Sequence, residues 1–426
     1  MGCVWSGGDI NFVPTTPDAS CTLSWTRLDD DDVLRQPQAQ GKGSGSVQWV
    51  YVRSPNVHSH GDGDGGANGG KGRTLAVVKH CASHEAYVHA CLQTHWRAAA
   101  AAHRAVALGV RHVVRTHPHW MYVATTPTTD VVMEPLCGSL RDLHTSLGVA
   151  AATRACADAA LGLRALHQVC RVIHGDVAPS TIGVCLRHAA ARTTHVWATA
   201  TAVAPTKSDC YGHGDDPPVV HEGVVFGLGT TQPLRGHPHF HGALWCSAIA
   251  AHKACAPLAY HRSRTSGIYP SPLDDLESLL FVVAWVWLGG HLPWDNLVDA
   301  IPQPLPHSGV GMSEAQQAAH AQACMDAEEH LHRAKGVFID ALRRRDGRGG
   351  ADDAPYHLTS YQATTLGSLF ATLSDACASE DGDVRAVCTT IHDMLHDAAM
   401  EFEMAVHHQQ TNDAVAGAAV NVDEEK

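Results

Sequence analysis

The hydrophobic and polar positions follow one pattern in the first third of the chain and another in the rest. Short apolar runs rich in β-branched residues lie between Gly-rich segments near the N-terminus, which is typical of strands and turns. From about Ala150 onward the apolar positions recur at the spacing of an amphipathic helix. The pattern predicts strands within 33–53 and at 74–79, 121–125 and 131–133. It predicts helices at 85–108, 151–167, 273–288, 313–345, 360–378 and 384–408.

A β-rich first third followed by a helical remainder predicts an α+β fold in two lobes. We expect a small β-rich N-lobe at 33–136 and a larger helical C-lobe at 137–410. Residues 1–32 show no clear periodicity and predict a flexible N-terminus. The last stretch, 411–426, predicts a disordered acidic tail.

Composition narrows the class of protein. The net charge of -13 argues against a nucleic-acid binder, which needs a basic surface to neutralise phosphates. The 14 cysteines include no Cys-x-x-Cys pair and are scattered, which favours reduced thiols in an intracellular, cytoplasmic protein. The longest apolar run, 279–290, is shorter than a bilayer requires and predicts a core helix.

Histidine is unusually frequent, with 32 residues, and three histidines alternate in the segment 237–241, HPHFH. In an extended chain these three side chains would share one face, as in a metal site. Compositional drift explains the same cluster, because the chain is equally rich in alanine. Both interpretations remain open, and the first makes the chain a histidine-rich metal-binding protein.

The N-terminus, MGCVWS, fits the pattern for N-myristoylation of Gly2 after removal of Met1. Cys3 offers a second acylation site beside it. One acyl chain binds a membrane only marginally, so attachment would depend on both residues. The sequence therefore makes Gly2 and Cys3 candidate lipidation sites for membrane association, with a coincidental start as the alternative.

Three further segments carry a resemblance to eukaryotic-type protein kinases, above all to the casein kinase I group. Residues 132–143, VMEPLCGSLRDL, resemble the hinge between the kinase lobes. Residues 173–184, IHGDVAPSTIGV, resemble the catalytic loop. Residues 274–294, DDLESLLFVVAWVWLGGHLPW, resemble the central helix of the large lobe. The three segments occur in the order of the family, so the resemblance implies a bilobal protein-kinase-like fold.

The resemblance assigns roles to residues of the large lobe and the hinge. Met133 would be the gatekeeper of the adenine pocket, and Glu134 and Leu136 would offer backbone groups to the adenine edge. Asp176 would be the catalytic base that accepts the proton of the substrate hydroxyl. Asp275 would accept hydrogen bonds from the catalytic-loop backbone, which is a structural role.

The small lobe matches the family less closely. Gly41, Gly43 and Gly45 resemble a phosphate-covering glycine loop, whose third glycine would fall on Ser46 or Gln48. The run 75–79, LAVVK, resembles the third strand of the lobe, in which Lys79 would grip the nucleotide phosphates. Glu85 is the only acidic residue between Lys79 and Asp130, so we expect it to form the ion pair with Lys79.

Several residues that the family uses for phosphoryl transfer are replaced. Ala178 stands where a lysine contacts the transferred phosphate, and Thr181 stands where an asparagine binds magnesium. A hairpin of 182–186 and 195–197 would place Ala198 at the position of the second magnesium ligand. A second register uses Val225-Phe226-Gly227, further downstream. Neither register contains an aspartate, and magnesium prefers charged oxygen ligands.

The sequence therefore predicts a pseudokinase that acts by binding or scaffolding a protein partner, with weak ATP binding and no magnesium bound in the usual way. Asp176 would then be a vestigial base. The alternative is an atypical active serine/threonine kinase that transfers the ATP γ-phosphate to a protein substrate. In that case Asp209 or Glu222 would compensate for the missing metal ligands.

Overall fold

A computed structural model describes most of the regions that carry the predicted elements. The described residues are 26–27, 47–53, 73–101, 109–114, 116–122, 128–134, 136–188, 219–234, 271–299, 301, 313–343, 357–378 and 383–424. Several predicted features lie outside these ranges. They are Gly2, Cys3, the glycine loop Gly41, Gly43 and Gly45, the segment 54–72, Ala198, Asp209 and the histidine segment 237–241.

The chain divides into two compact units, and together they have the α+β composition that the sequence predicts. The smaller unit comprises residues 1–86, 116–135 and 196–215, and the larger unit comprises 87–115, 136–195 and 216–426. The predicted boundary at residue 136 is close to the observed change at Leu136. Residues 87–115, which the sequence analysis placed within the lobe 33–136, belong to the larger unit in this division.

The smaller unit is built on a five-stranded antiparallel sheet. Its strands are β1 (Thr26–Arg27), β2 (Val47–Arg53), β3 (Arg73–Ala82), β4 (Thr116–Tyr122) and β5 (Thr128–Met133), in the order β1-β2-β3-β5-β4. The strands predicted at 74–79 and 131–133 are confirmed as parts of β3 and β5. Residues 26–27 form a strand inside the segment predicted to be flexible, so that prediction is wrong at this point.

Helix α1 (Ser83–Ala101) follows β3 without a loop, and the boundary between the two units falls inside this continuous helix. Glu85 lies in the first turn, where a negative charge interacts favourably with the helix dipole. From Val88 the buried apolar residues of α1 join the core of the larger unit.

The larger unit begins with two helices and a small three-stranded antiparallel sheet. The helices are α2 (Leu140–Leu147) and α3 (Val149–Ala165), the latter continued by a π-helical turn at Leu166–Cys170. The strands are β6 (Gly138–Ser139), β7 (Val172–Ile173), β8 (Ile182–His188), β9 (Val219–Val225) and β10 (Gln232–Pro233). The sheet has the order β6-β8-β9, and β7 pairs separately with β10.

The described part of the larger unit contains five further helices: α4 (Pro272–Trp287), α5 (Asp295–Asp299), α6 (Glu314–Arg343), α7 (Ser360–Ala378) and α8 (Val384–Glu424). Helix α4 begins at a capping box, in which the Asp274 carboxylate accepts from the Ser271 N–H at 2.6 Å. Pro272 occupies the first helical position, where its missing N–H costs nothing. The predicted central helix is therefore confirmed within one residue at each end.

Helix α4 is buried along its length from Leu279 to Trp287, as its continuous apolar run predicts. Around it the rings of Phe281, Trp294, Phe338 and Phe370 meet at centroid distances of 5.4 Å. Such edge-to-face and tilted contacts stabilise a core beyond the burial of apolar area alone. This aromatic group fixes α6 and α7 on α4.

Helix α8 packs along α3 through Cys388, Ile391, Leu395 and Ala398, all of which are fully buried. The structure extends α8 to Glu424, so the prediction of a disordered acidic tail is wrong for 411–424. The acidic residues that suggested disorder are concentrated after Asn421, at the end of the helix. Among the described residues, no helix combines the length and the hydrophobicity that crossing a membrane requires.

Candidate functional site

In the smaller unit, Lys79 near the end of β3 forms an ion pair with Glu85 in the first turn of α1. The Lys79 Nζ lies 2.6 Å from Glu85 Oε1, and the two side chains are 19% and 4% exposed. The direct continuation of β3 into α1 brings the two side chains together, since only five residues separate Lys79 from Glu85 in the sequence. The ion pair that the sequence predicts is confirmed, and its burial makes it stronger than an exposed pair.

The predicted gatekeeper, Met133, is the last residue of β5 and pairs with Val77 of β3. Its half-buried side chain packs on Cys81, Ala86 and Val131. Glu134 follows outside any helix or strand and is half-buried in the same unit, whereas Leu136 belongs to the larger unit. The described residues thus include the predicted hinge segment on both sides of Pro135.

In the larger unit, Asp275 organises the loop of residues 174–181, which we call the 174–181 loop. The Asp275 carboxylate accepts from the N–H groups of His174 at 2.7 Å and Gly175 at 2.9 Å. It also accepts from His167 Nε2 at 2.8 Å, and its residue is 3% exposed. The predicted structural role of Asp275 is confirmed, because each carboxylate oxygen holds at least one loop amide.

The ionised form of Asp275 is favoured in this position. Burial by itself would raise the pKa, but the hydrogen bond and charge of His167, the charge of His174 and the Gly175 N–H outweigh burial and lower it. The carboxylate therefore stays charged and keeps its acceptor capacity for the loop.

Asp176 and Thr181 lie at the two ends of one turn of the 174–181 loop. Thr181 Oγ1 donates to the Asp176 carbonyl at 2.7 Å and accepts from the Ala178 N–H at 2.9 Å. The Thr181 residue is 8% exposed. Its hydroxyl is thus part of the loop's internal hydrogen bonding, and it holds the backbone of Asp176 in place.

The strand that pairs with β8 is β9, from Val219 to Val225. The sequence analysis expected 195–197 in this role, so the hairpin prediction is corrected in the described part of the chain. The triplet that directly follows the hairpin is Val225-Phe226-Gly227, which was the second register. Ala198, the first candidate for the ligand position, lies outside the described residues.

The Val225 side chain points into the core of the larger unit. Its Cγ2 would lie 2.9 Å from a Cβ at Gly162 of α3, and the residue is 1% exposed. The backbone then continues the ladder by one bond, because the Phe226 N–H donates to the Thr181 carbonyl at 3.0 Å. Alternation along the strand places Phe226 on the opposite face of the sheet from Val225.

The ring of Phe226 closes over Gly183 of β8 together with Leu136. A Cβ at Gly183 would lie 2.6 Å from Leu136 Cδ1 and 3.1 Å from Phe226 Cδ1. His174 Nε2 donates to the Phe226 carbonyl at 2.9 Å and so fixes the backbone beneath this ring. A larger residue at Gly183 would therefore require the Leu136 and Phe226 side chains to shift.

The larger unit also contains a group of charged residues that the sequence analysis did not detect. Arg111 pairs with Glu222 of β9 at 2.7 Å, and His112 Nδ1 lies 3.5 Å from Asp158 of α3. The Asp158 carboxylate accepts from the Gly223 N–H at 2.9 Å. The group ties the 3-10 turn Val110–His112 to α3 and β9.

Burial raises the pKa of Asp158 to about 6, although the Gly223 N–H and the charge of Arg111 act in the opposite direction. Glu222, which the sequence analysis considered as a substitute metal ligand, is 5% exposed and paired with Arg111. No sequence signal points to this group, since its members are far apart along the chain.

The predicted site residues thus fall into two sets that the structure describes separately. Lys79, Glu85, Met133 and Glu134 belong to the smaller unit, while Leu136, Asp176, Thr181 and Asp275 belong to the larger unit. A comparison with models of protein families and a comparison with curated protein sequences both find no match for this chain.

Proposed function

We propose that the chain is a protein-kinase-like protein of the casein kinase I type that acts as a pseudokinase. It would bind a protein partner or serve as a scaffold, bind ATP weakly, and bind no magnesium in the way an active kinase does. The supporting geometry is the 174–181 loop held by Asp275, followed by the β8–β9 hairpin and the triplet 225–227. The buried Lys79–Glu85 pair supports the same proposal.

The proposed loss of phosphoryl transfer rests on the residues at the two magnesium-ligand positions. The triplet at the end of β9 begins with the last strand residue, Val225, whose side chain lies in the core, and the Thr181 hydroxyl is engaged within its own loop. A magnesium ion is held best by charged oxygen ligands, and neither position supplies one. Without the ion, the charge that develops on the transferred phosphate is poorly neutralised, and the rate falls by orders of magnitude.

The Phe226 ring supports weak nucleotide binding. In the proposed function Leu136 contacts the adenine edge, yet its side chain already meets Phe226 over Gly183. A nucleotide ring that packed on the Leu136 side chain would compete with Phe226 for that contact. The free energy of displacing Phe226 would be subtracted from the affinity for ATP.

Calorimetric titration of the full chain with ATP, with and without magnesium, tests the proposal. We expect weak binding of unchanged affinity in both conditions, and a weaker affinity for Lys79→Ala. Phosphate transfer from labelled ATP to casein, an acidic substrate, should not exceed that of a buffer control. Magnesium-dependent binding together with phosphorylated casein would instead establish the active kinase.

Membrane association through Gly2 and Cys3, and an intracellular location, belong to the same proposal and rest on the sequence alone. Incorporation of labelled myristate into the wild-type chain, compared with Gly2→Ala, tests the acylation. Equal labelling of the two proteins would contradict it.

A further inference from the structure

Three buried residues with metal-ligating side chains come together where β3 meets α1. They are Cys81, Glu85 and His89, and we call them the Cys81 cluster. Each offers one ligand atom, and the three atoms all lie within 4.8 Å of one another. The residues are 0%, 3% and 1% exposed, respectively.

The local fold explains why these groups meet. Glu85 and His89 are four residues apart on α1, so their side chains lie on the same face of the helix. Cys81 is the penultimate residue of β3, directly before the helix begins. The cluster is therefore formed entirely within the continuous strand–helix segment of residues 81–89.

The donor set of the Cys81 cluster matches the preference of one class of metal ion. Zinc binds cysteine sulfur, histidine nitrogen and carboxylate oxygen in tetrahedral sites, at bond lengths of about 2.0–2.3 Å. Bonds of that length place neighbouring ligand atoms roughly 3.3–3.8 Å apart. The three ligand atoms lie within 4.8 Å of one another, so the widest separation could require a contraction of about 1 Å or more to reach this spacing.

We infer that Cys81, Glu85 and His89 form a binding site for a divalent metal ion of the zinc class, with a fourth position open to another ligand. Binding forms one bond from the metal to each donor atom and breaks the S–H bond of Cys81, whose proton passes to solvent. No electron is transferred, because zinc keeps its charge.

The electrostatics of the cluster agree with this exchange of a proton for a metal. Burial raises the pKa of the Cys81 thiol, the charge of Glu85 raises it further, and Lys79 opposes both. Metal binding must therefore displace the proton of this thiol.

Such a site would have a structural effect on the ion pair beside it. Glu85 already contacts Lys79 through Oε1 at 2.6 Å. A metal held by Glu85, Cys81 and His89 would fix the first two turns of α1 to the end of β3. The position of Lys79 would then depend on metal occupancy.

The test uses the full chain, stripped of metal and titrated with Co²⁺ and then with Zn²⁺. Cobalt bound to a thiolate gives a charge-transfer absorption in the near ultraviolet, which separates this site from the many surface histidines. The test variants are Cys81→Ser and His89→Gln. The matched controls are Cys91→Ser and His84→Gln, on the same helix. Circular dichroism and melting curves establish that each protein is folded.

We expect the wild type and both controls to give the thiolate band with one equivalent of Co²⁺ and to lose it with Zn²⁺. Cys81→Ser should lose the band. His89→Gln should lose more cobalt affinity than the 10–100-fold that removal of an outer-shell partner costs. Absence of the band in the wild type, or its persistence in Cys81→Ser, overturns the inference. If Cys81→Ser does not fold, unchanged cobalt affinity in His89→Gln overturns it by itself. None of these outcomes bears on the proposed pseudokinase function.

Discussion

At the scale of single residues, Asp275 carries several hydrogen bonds of the 174–181 loop. Asp275→Ala leaves the His174 and Gly175 N–H groups without their acceptor in a buried position. We expect the free energy of unfolding to fall by about 1–3 kcal/mol, which is the usual cost of an unsatisfied buried group. Chemical denaturation measures the loss. A variant as stable as the wild type would show that the loop amides find other acceptors.

Asp275 should also make the stability of the fold depend on pH in the acidic range. The pKa of Asp275 is lowered in the folded protein, so its contribution to stability is present above the ordinary carboxyl pKa. That contribution is lost as the pH falls through the lowered folded value. Melting curves below pH 5 should show a steeper loss of stability for the wild type than for Asp275→Asn. Parallel curves for the two proteins would contradict the assignment.

Phe226 gives a prediction about ligand access. Phe226→Ala removes the ring that meets Leu136 over Gly183 while leaving the backbone hydrogen bonds of the hairpin in place. We expect the affinity for adenosine nucleotides to rise at least severalfold, since Phe226 no longer competes for the Leu136 side chain. Calorimetry measures the dissociation constant. Phe402→Ala, on α8, is the control, and an equal gain in that variant would assign the effect to general loosening.

At the scale of elements, glycines decide how closely α3 approaches its neighbours. A Cβ at Gly162 would overlap the His112 carbonyl oxygen and lie 2.9 Å from Val225 Cγ2. Gly162→Ala should therefore destabilise the fold by about 1–3 kcal/mol, as overpacking does, although alanine favours helix. Gly336 of α6 has open space around it, so Gly336→Ala should stabilise by about 0.5–1 kcal/mol. Thermal unfolding measures the change in stability of each variant relative to the wild type. Two changes of the same sign would contradict the prediction.

The contact of α3 with β9 and the turn at 110–112 depends on pH through Asp158. Its pKa is raised to about 6 mainly by burial. A raised carboxyl pKa contributes stability at low pH, and that contribution is lost as the pH rises through about 6. Relative to Asp158→Asn, the wild type should therefore lose up to about 3 kcal/mol between pH 4 and pH 8. Urea unfolding at both pH values measures this. Asp299→Asn, at an exposed position, should show no such trend.

At the scale of the whole molecule, Asp176 tests whether any phosphoryl transfer remains. A base accelerates transfer only when the phosphate is held in line for attack, and Val225 and Thr181 supply no metal ligand. We expect Asp176→Asn to leave phosphate incorporation at background and to change the melting temperature less than Asp275→Ala does. If the wild type phosphorylates a protein and Asp176→Asn abolishes this activity, the active-kinase alternative is correct.

Much of the element pattern could be predicted because it depends on short segments. The capping box at Ser271 and the apolar run of α4 define that helix locally, and the prediction agrees with the structure. The resemblance implied a carboxylate partner for Lys79, and Glu85 is the only acidic residue between Lys79 and Asp130. The role of Asp275 was likewise implied by the resemblance of 274–294, and the structure shows its carboxylate bonded to the loop amides.

The remaining features depend on contacts that composition does not encode. The partner strand of β8 was misassigned because the intervening segment is long and its length says nothing about pairing. The Asp158 group joins residues of three distant elements, so no local pattern reveals it. The extension of α8 to Glu424 was missed because the acidic residues at the chain end were interpreted as a sign of disorder, although the alanines between 414 and 419 are strong helix formers.

The packing of α8 along α3 has a consequence for how the protein is made. Helix α3 leaves the ribosome more than two hundred residues before α8, whose Ile391 and Leu395 cover it. Chains are synthesised at about 5–20 residues per second, so the apolar side of α3 stays uncovered by α8 for about ten seconds or more. During synthesis the larger unit is therefore incomplete and prone to aggregation, because apolar surface of α3 is exposed. Chaperone dependence should accordingly be greatest while residues 166–383 emerge.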